Sequence, residues 1–233
     1  TLSTGMYAVE KRGNQGGLAE LFACGPCDMN LARIRKQLWL TAAFGMDRYV
    51  LAVAHLDVRG NIFKSQYFNQ FGPDQPHMAV WPVLSKDAKR AARFARKQRL
   101  CDINVRYPYR PEELTALLRQ LVRYQYSWRL LLPEEEPDEE ATFVLSLHDG
   151  SLKEEKEGLT SYDFECFHKQ YLNSHRRILP CIFGENGQPD QAVLIRHYAD
   201  NSLLVIDLSG RPRTLYLCRG GNKLRFKLPA DGV

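Results

Sequence analysis

Residues 86–99 hold seven of the chain's 32 lysines and arginines against a single acid, Asp87. The chain as a whole is only +5, so the other 219 residues, with 25 basic and 26 acidic side chains, are nearly neutral. This segment constrains the fold more than any other, because a buried cation without a partner carries a large desolvation cost. Ala88, Ala91, Ala92 and Ala95 recur at i, i+3, i+4 and i+7, one stripe of an α-helix. Lys86, Arg90, Arg93 and Lys97 make a second stripe, flanked by Lys89 and Arg96. The spacing predicts a helix that lies close against its support through small residues and turns its cations to solvent. Ser85 is the expected N-cap, which puts Asp87 in the first turn, where the helix dipole favours an acid. With one acid in the segment, i, i+4 pairing cannot neutralise the face.

Such a face is a solvated surface, a dock for an acidic protein, or a contact for a polyanion. Concentration of the whole charge excess in one element favours the polyanion, DNA or RNA, contacted by Lys86, Lys89, Arg90, Arg93, Arg96, Lys97 and Arg99. Six engaged phosphates would make log K fall with log salt at a slope of about −5. A helix lying on a membrane needs bulky apolar residues, and this one offers alanines and Phe94, so no membrane partner is expected.

At 233 residues, 44% hydrophobic and 25% charged, the chain has the composition of a globular protein with a substantial core. Residues 1–5 lack the charged and apolar regions of a signal peptide, and no apolar run approaches the ~18 residues of a membrane span. The six cysteines are scattered rather than arranged as a disulfide framework. The expected location is cytoplasmic.

The expected fold class is α+β. Residues 1–133, carrying the basic helix, read β-α-β-β-α-β, the order of a ferredoxin-like split unit. Strands are expected at 6–10, 18–23, 49–56, 62–68 and 103–107, the run 49–56 being apolar enough for a central strand. Helices are expected at 28–44 and from Pro111, with Leu114, Leu117, Leu118, Leu121 and Val122 inward. Residues 134–140 form an acidic, proline-bounded linker that could mask the basic helix. Residues 141–233 read as a mainly-β part with one helix at 161–173. Five strands at 178–183, 192–198, 203–208, 214–218 and 224–228 would form an antiparallel meander.

Cys24-Gly25-Pro26-Cys27 resembles the redox tetrapeptide of thioredoxins and precedes a helix, which lowers a thiol pKa. Ala23 stands where that family has tryptophan, and no long apolar strand leads in. Cys24 and Cys27 could also supply half of a zinc site with Cys101, or with Cys166 and His168, but no second CxxC exists and the favoured reading is two ordinary thiols. No metal and no cofactor are expected. His55 and Asp57 share a strand face and could act with His148 or Asp149, though a satisfied polar pair is the commoner outcome. Residues 59–66 resemble the RNP1 strand of an RRM in Arg59-Gly60 and Phe63 and depart from it at Gln66. Gly220-Gly221, among Arg219, Lys223, Arg225 and Lys227, is either a phosphate-binding turn or a plain hairpin turn. Tyr107, Tyr109, Tyr124, Tyr126 and Trp128, interleaved with arginines, either stack on bases or close the core.

No P-loop, HExxH or GxSxG pattern occurs. The function expected from these residues is nucleic-acid binding as an accessory factor or complex subunit, with other protein subunits as further partners. Binding is favoured over catalysis. The alternatives are a nucleic-acid-processing enzyme of the metal-independent endoribonuclease type, using His55, His148, His168 or His175, and an interaction module docking an acidic partner.

Overall fold

The structure is a computed structural model and describes residues 16–21, 30–51, 58–61, 76–106, 111–137, 141–148, 151–155, 159–173 and 181–229. Its elements form a mixed α+β architecture with several open sheets, the fold class expected. β1 (Gly17–Leu21) leads to α1 (Leu31–Ala42), where the Asn30 side chain accepts the Arg33 N–H at 2.9 Å and so caps the helix. α1 buries Ile34, Leu38 and Trp39, and β2 (Met46–Leu51) then pairs in parallel with β1. A 3-10 turn at Pro76–Val80 runs into α2 (Trp81–Ala95), the basic helix.

That helix starts at Trp81, earlier than its charge pattern indicated. Pro82 sits in the first turn, where its fixed φ and missing N–H cost nothing. Ser85 is therefore inside the helix and not its cap, and Asp87 lies in the second turn, buried.

β3 (Ile103–Arg106), α3 (Pro111–Arg123) and β4 (Trp128–Leu131) follow, then β5 (Phe143–His148), β6 (Ser151–Glu154) and β7 (Leu159–Tyr162). These strands make one five-stranded sheet in the order β4-β3-β5-β6-β7. The acidic stretch after residue 133 thus connects two strands of the same sheet. In a ferredoxin-like split unit another strand separates the two joined by a helix. Here β1 pairs directly with β2, and β3 directly with β4, both parallel. Each pair is joined across a helix, the crossover that parallel pairing requires. The strands expected at 6–10 and 62–68 lie outside the described residues.

α4 (Phe164–Asn173) is shorter than expected because 159–162 form β7. All five C-terminal strands form: β8 (Ile182–Phe183), β9 (Val193–His197), β10 (Leu203–Asp207), β11 (Arg213–Arg219) and β12 (Asn222–Leu228). They are not one continuous meander. β9 and β10 form a hairpin, whereas β8 skips them and pairs with β11, giving the order β12-β11-β8.

Two apolar clusters result, and β9 is the wall between them. Alternation along a strand sends neighbours to opposite faces. Leu194 joins the main core with Ile34, Leu84, Ile103, Leu121, Trp128 and Phe167. Val193 and Ile195 join a smaller core with Ile182, Leu215 and Leu228. Arg196, on the Leu194 side, is only 2% exposed. Its guanidinium lies 5.0 Å from the Phe44 ring and 4.7 Å from the Trp128 ring, and its Nε donates to the Ala43 carbonyl at 3.0 Å. That carbonyl ends α1, where the helix dipole is negative. Burial, with Arg99 nearby, pushes the Arg196 pKa down to about 10.

Two consequences are measurable by urea denaturation. Arg196→Ala should cost about 3 kcal/mol or more through the cavity and lost ring contacts. Arg196→Met refills the slot but strands the Ala43 carbonyl, and should cost about 1–3 kcal/mol. The neighbouring His197 is buried, and burial, then Arg219 and Arg196, pull its pKa down from 6.5 to about 4. The unfolded chain therefore takes up this proton before the folded chain does, and stability falls as pH drops from about 6.5 towards 4. Lowering the pH from 7 to 5 should cost about 2 kcal/mol through this residue, a loss that His197→Gln abolishes.

Candidate nucleic-acid interface

α2 turns Leu84, Asp87 and Ala91 inward. Ala91 is fully buried and Ala88, Ala92 and Ala95 are half-buried, so the alanine stripe does face the protein. Phe94 closes that side, meeting Trp39 edge-on at 5.8 Å and Tyr198 at 5.6 Å.

Three acids from three different elements then engage the cations. Buried Asp87 accepts Arg35 Nε from α1 at 2.5 Å and has Arg90 Nη1 at 3.8 Å. Asp47 of β2 accepts Arg96 Nε at 2.7 Å. Its carboxylate sits over Gly16 (φ +73), where an added Cβ would come within 2.2 Å of Asp47 Oδ1. Asp200, in the β9–β10 turn, accepts Lys97 Nζ at 2.7 Å, and Ser202 Oγ accepts the same ammonium at 2.8 Å. The bond from Lys97, together with those from Ser202, holds the Asp200 carboxyl well below the usual carboxylate range. Lys97 also lies over the Phe94 ring at 4.4 Å.

The seven expected contact residues are therefore not equivalent. Arg96 and Lys97 are bound into the scaffold, and Arg99 is half-buried in a bridge to Tyr198. Arg90 shares an acid that Arg35 already holds, and its side chain is 60% exposed. Lys86, Lys89 and Arg93 are exposed on the outer helix face and make no ion pair among the described residues.

The remaining candidates sort as follows. Cys24, Cys27, His55, Asp57, Phe63, Gln66, Tyr107, Tyr109, Asp149 and His175 lie outside the described residues. Tyr126 and Trp128 are core residues rather than stacking surfaces. His168 rests against Tyr124, their rings 4.5 Å apart, hydrogen-bonds Tyr126 through Nδ1, and has its pKa lowered by burial. Of the acidic stretch, Glu135 accepts the Leu132 N–H and offers its carbonyl to Arg106, which also binds Glu155. Among the described residues none of these acids pairs with α2. Nor do the described residues bring together three His, Cys, Asp or Glu side chains able to hold a metal, and none of their helices is long and apolar enough to cross a membrane.

Gly220 (φ 56) and Gly221 (φ 78) form the two-residue turn of the β11–β12 hairpin, the plain reading of that pair. The hairpin carries a second cationic surface. Lys223, Arg225 and Lys227 are exposed on one face of β12. Their alternate spacing was legible in the sequence, but which sheet face they line was not. No protein-family model matches the chain, and no curated protein matches its sequence.

The burial of Asp87 makes a prediction that separates the acids. Asp87→Ala removes a buried carboxylate bonded across two helices and should cost about 1–3 kcal/mol in urea denaturation. Asp200→Ala removes an exposed partner and should lower the urea midpoint less than Asp87→Ala does.

Proposed function

We propose that the protein binds nucleic acid through the outer face of α2, with Lys86, Lys89 and Arg93 contacting backbone phosphates and Arg90 adding to them. The reading is carried by one observation: these three cations are exposed together at helical spacing with no ion pair among the described residues, while nearby acids are taken up by other cations. Seven helical residues separate Lys86 from Arg93, about 10 Å along the axis, enough to meet two or three successive phosphates of one strand. Arg90 can turn to a phosphate without leaving Asp87 alone, because Arg35 remains. Arg96 and Lys97 act on the other side of the account, fixing the end of the helix to β2 and to the β9–β10 turn.

Phosphate contacts of this kind give affinity and register with little sequence preference, which suits an accessory factor or complex subunit. The salt dependence should be smaller than six phosphates would give. Changing Lys86, Lys89 and Arg93 together to Glu should weaken binding to labelled DNA or RNA at least tenfold. It should also reduce the magnitude of the log–log salt slope by about 2–3. The variant should keep the circular dichroism and urea midpoint of the parent, since all three side chains point outward. An unchanged affinity and slope would discard the proposal.

A further inference from the structure

We infer that the outer face of the β8–β11–β12 sheet is a second contact surface, a platform for single-stranded nucleic acid. This rests on the nucleic-acid reading above and adds a site and a form of substrate to it. Cross-strand register defines the face. Tyr216 of β11 stands opposite Phe183 of β8 on one side and Arg225 of β12 on the other. Directly opposed residues share a sheet face, so two aromatic rings and a guanidinium lie in one row across three strands. Cys218 pairs with Lys223 and Thr214 with Lys227, which places Lys223 and Lys227 on either side of that row. The reverse face, with Leu215, Leu217 and Phe226, packs on the smaller core.

Lys223, Arg225 and Lys227 are exposed and make no ion pair among the described residues. They recur every second residue, about 7 Å apart along the strand, a spacing suited to the phosphates of an extended single strand. Lys223 Nζ lies 4.3 Å from the Tyr216 ring centre, so a cation already borders the aromatic row. Tyr216 and Phe183 are only half-buried. Lysines on an edge strand also protect against edge-to-edge association, and that role alone would explain the cations. It does not call for an aromatic row on the same face. Stacking on unpaired bases does, and a duplex conceals those base faces.

The two cationic elements meet at one turn. At the end of α2, Lys97 binds Asp200 and Ser202. At the hairpin tip, Arg219 donates to the Asn201 carbonyl at 2.8 Å and to Asn201 Oδ1 at 3.1 Å. Residues 200–202 therefore join the C-terminal end of the helix to the tip of the hairpin.

The test is fluorescence anisotropy of the full chain with labelled oligo-dT, oligo-rU and a duplex of matched length. It compares the parent, the α2 variant above, the combined Lys223→Glu, Arg225→Glu, Lys227→Glu variant, Tyr216→Ala and Tyr216→Phe. The hairpin variant should lose at least tenfold in single-strand affinity and less on duplex. Tyr216→Ala should lose about 5- to 100-fold on single strands, with Tyr216→Phe close to the parent. If the α2 variant loses binding while the hairpin and Tyr216 variants bind like the parent, the platform is wrong and the helix reading stands. If the hairpin variant loses duplex and single strand alike and Tyr216→Ala changes nothing, the single-strand platform is likewise overturned. A parent that binds none of the three probes removes both readings. Should Tyr216→Ala fail to fold, the outward hairpin substitutions still decide.

Discussion

The slot that Arg196 fills between Phe44 and Trp128 is the contact on which the rest of this architecture depends. A guanidinium can occupy it because the group is planar, stacks on both rings and still reaches the Ala43 carbonyl at the end of α1. A lysine ammonium is too compact and too strongly hydrated for that combination. The contact joins β9 to the end of α1 and to β4, three elements far apart in sequence. Because β9 also separates the two apolar clusters, its seating decides where the small sheet lies relative to the main core.

From that seating follows the distribution of charge. The β9–β10 turn delivers Asp200 to Lys97 and Asn201 to Arg219. The β1–β2 pair, closed over Gly16, delivers Asp47 to Arg96. The packing of α2 on α1 brings Arg35 to Asp87. Each of these acids quiets part of the basic segment, and what escapes among its described residues is the outer face of α2. The elements that carry the two surfaces, α2 and the β11–β12 hairpin, are bonded to the same turn through Lys97 and Arg219.

Helix α2 was legible because alanine and basic residues alternate with helical period and both are strong helix formers. Its start was not, because a proline at residue 82 fits a loop as well as a first helical turn and Ser85 offers a plausible cap. The strands after residue 181 were legible from turn residues at regular spacing. Their pairing was not, because strand alternation records only that a face is apolar and carries no label for its partner, so β8 could cross to β11. The order of the first half suggested a split unit, yet β1–β2 and β3–β4 each close directly, a choice made by long-range packing rather than by local pattern.

Taken alone, the amino-acid order settles where the charge excess resides, that it is helical, and that helices and strands mix. These are local matters of period, propensity and composition. Whether a given lysine or arginine is available is decided by carboxylates tens of residues away, such as Asp47 for Arg96 and Asp200 for Lys97. Likewise, only strand register sets Phe183, Tyr216 and Arg225 in one row. Electrostatic partnership acts over a few ångströms in space, and no one-dimensional pattern encodes that proximity until the chain has folded.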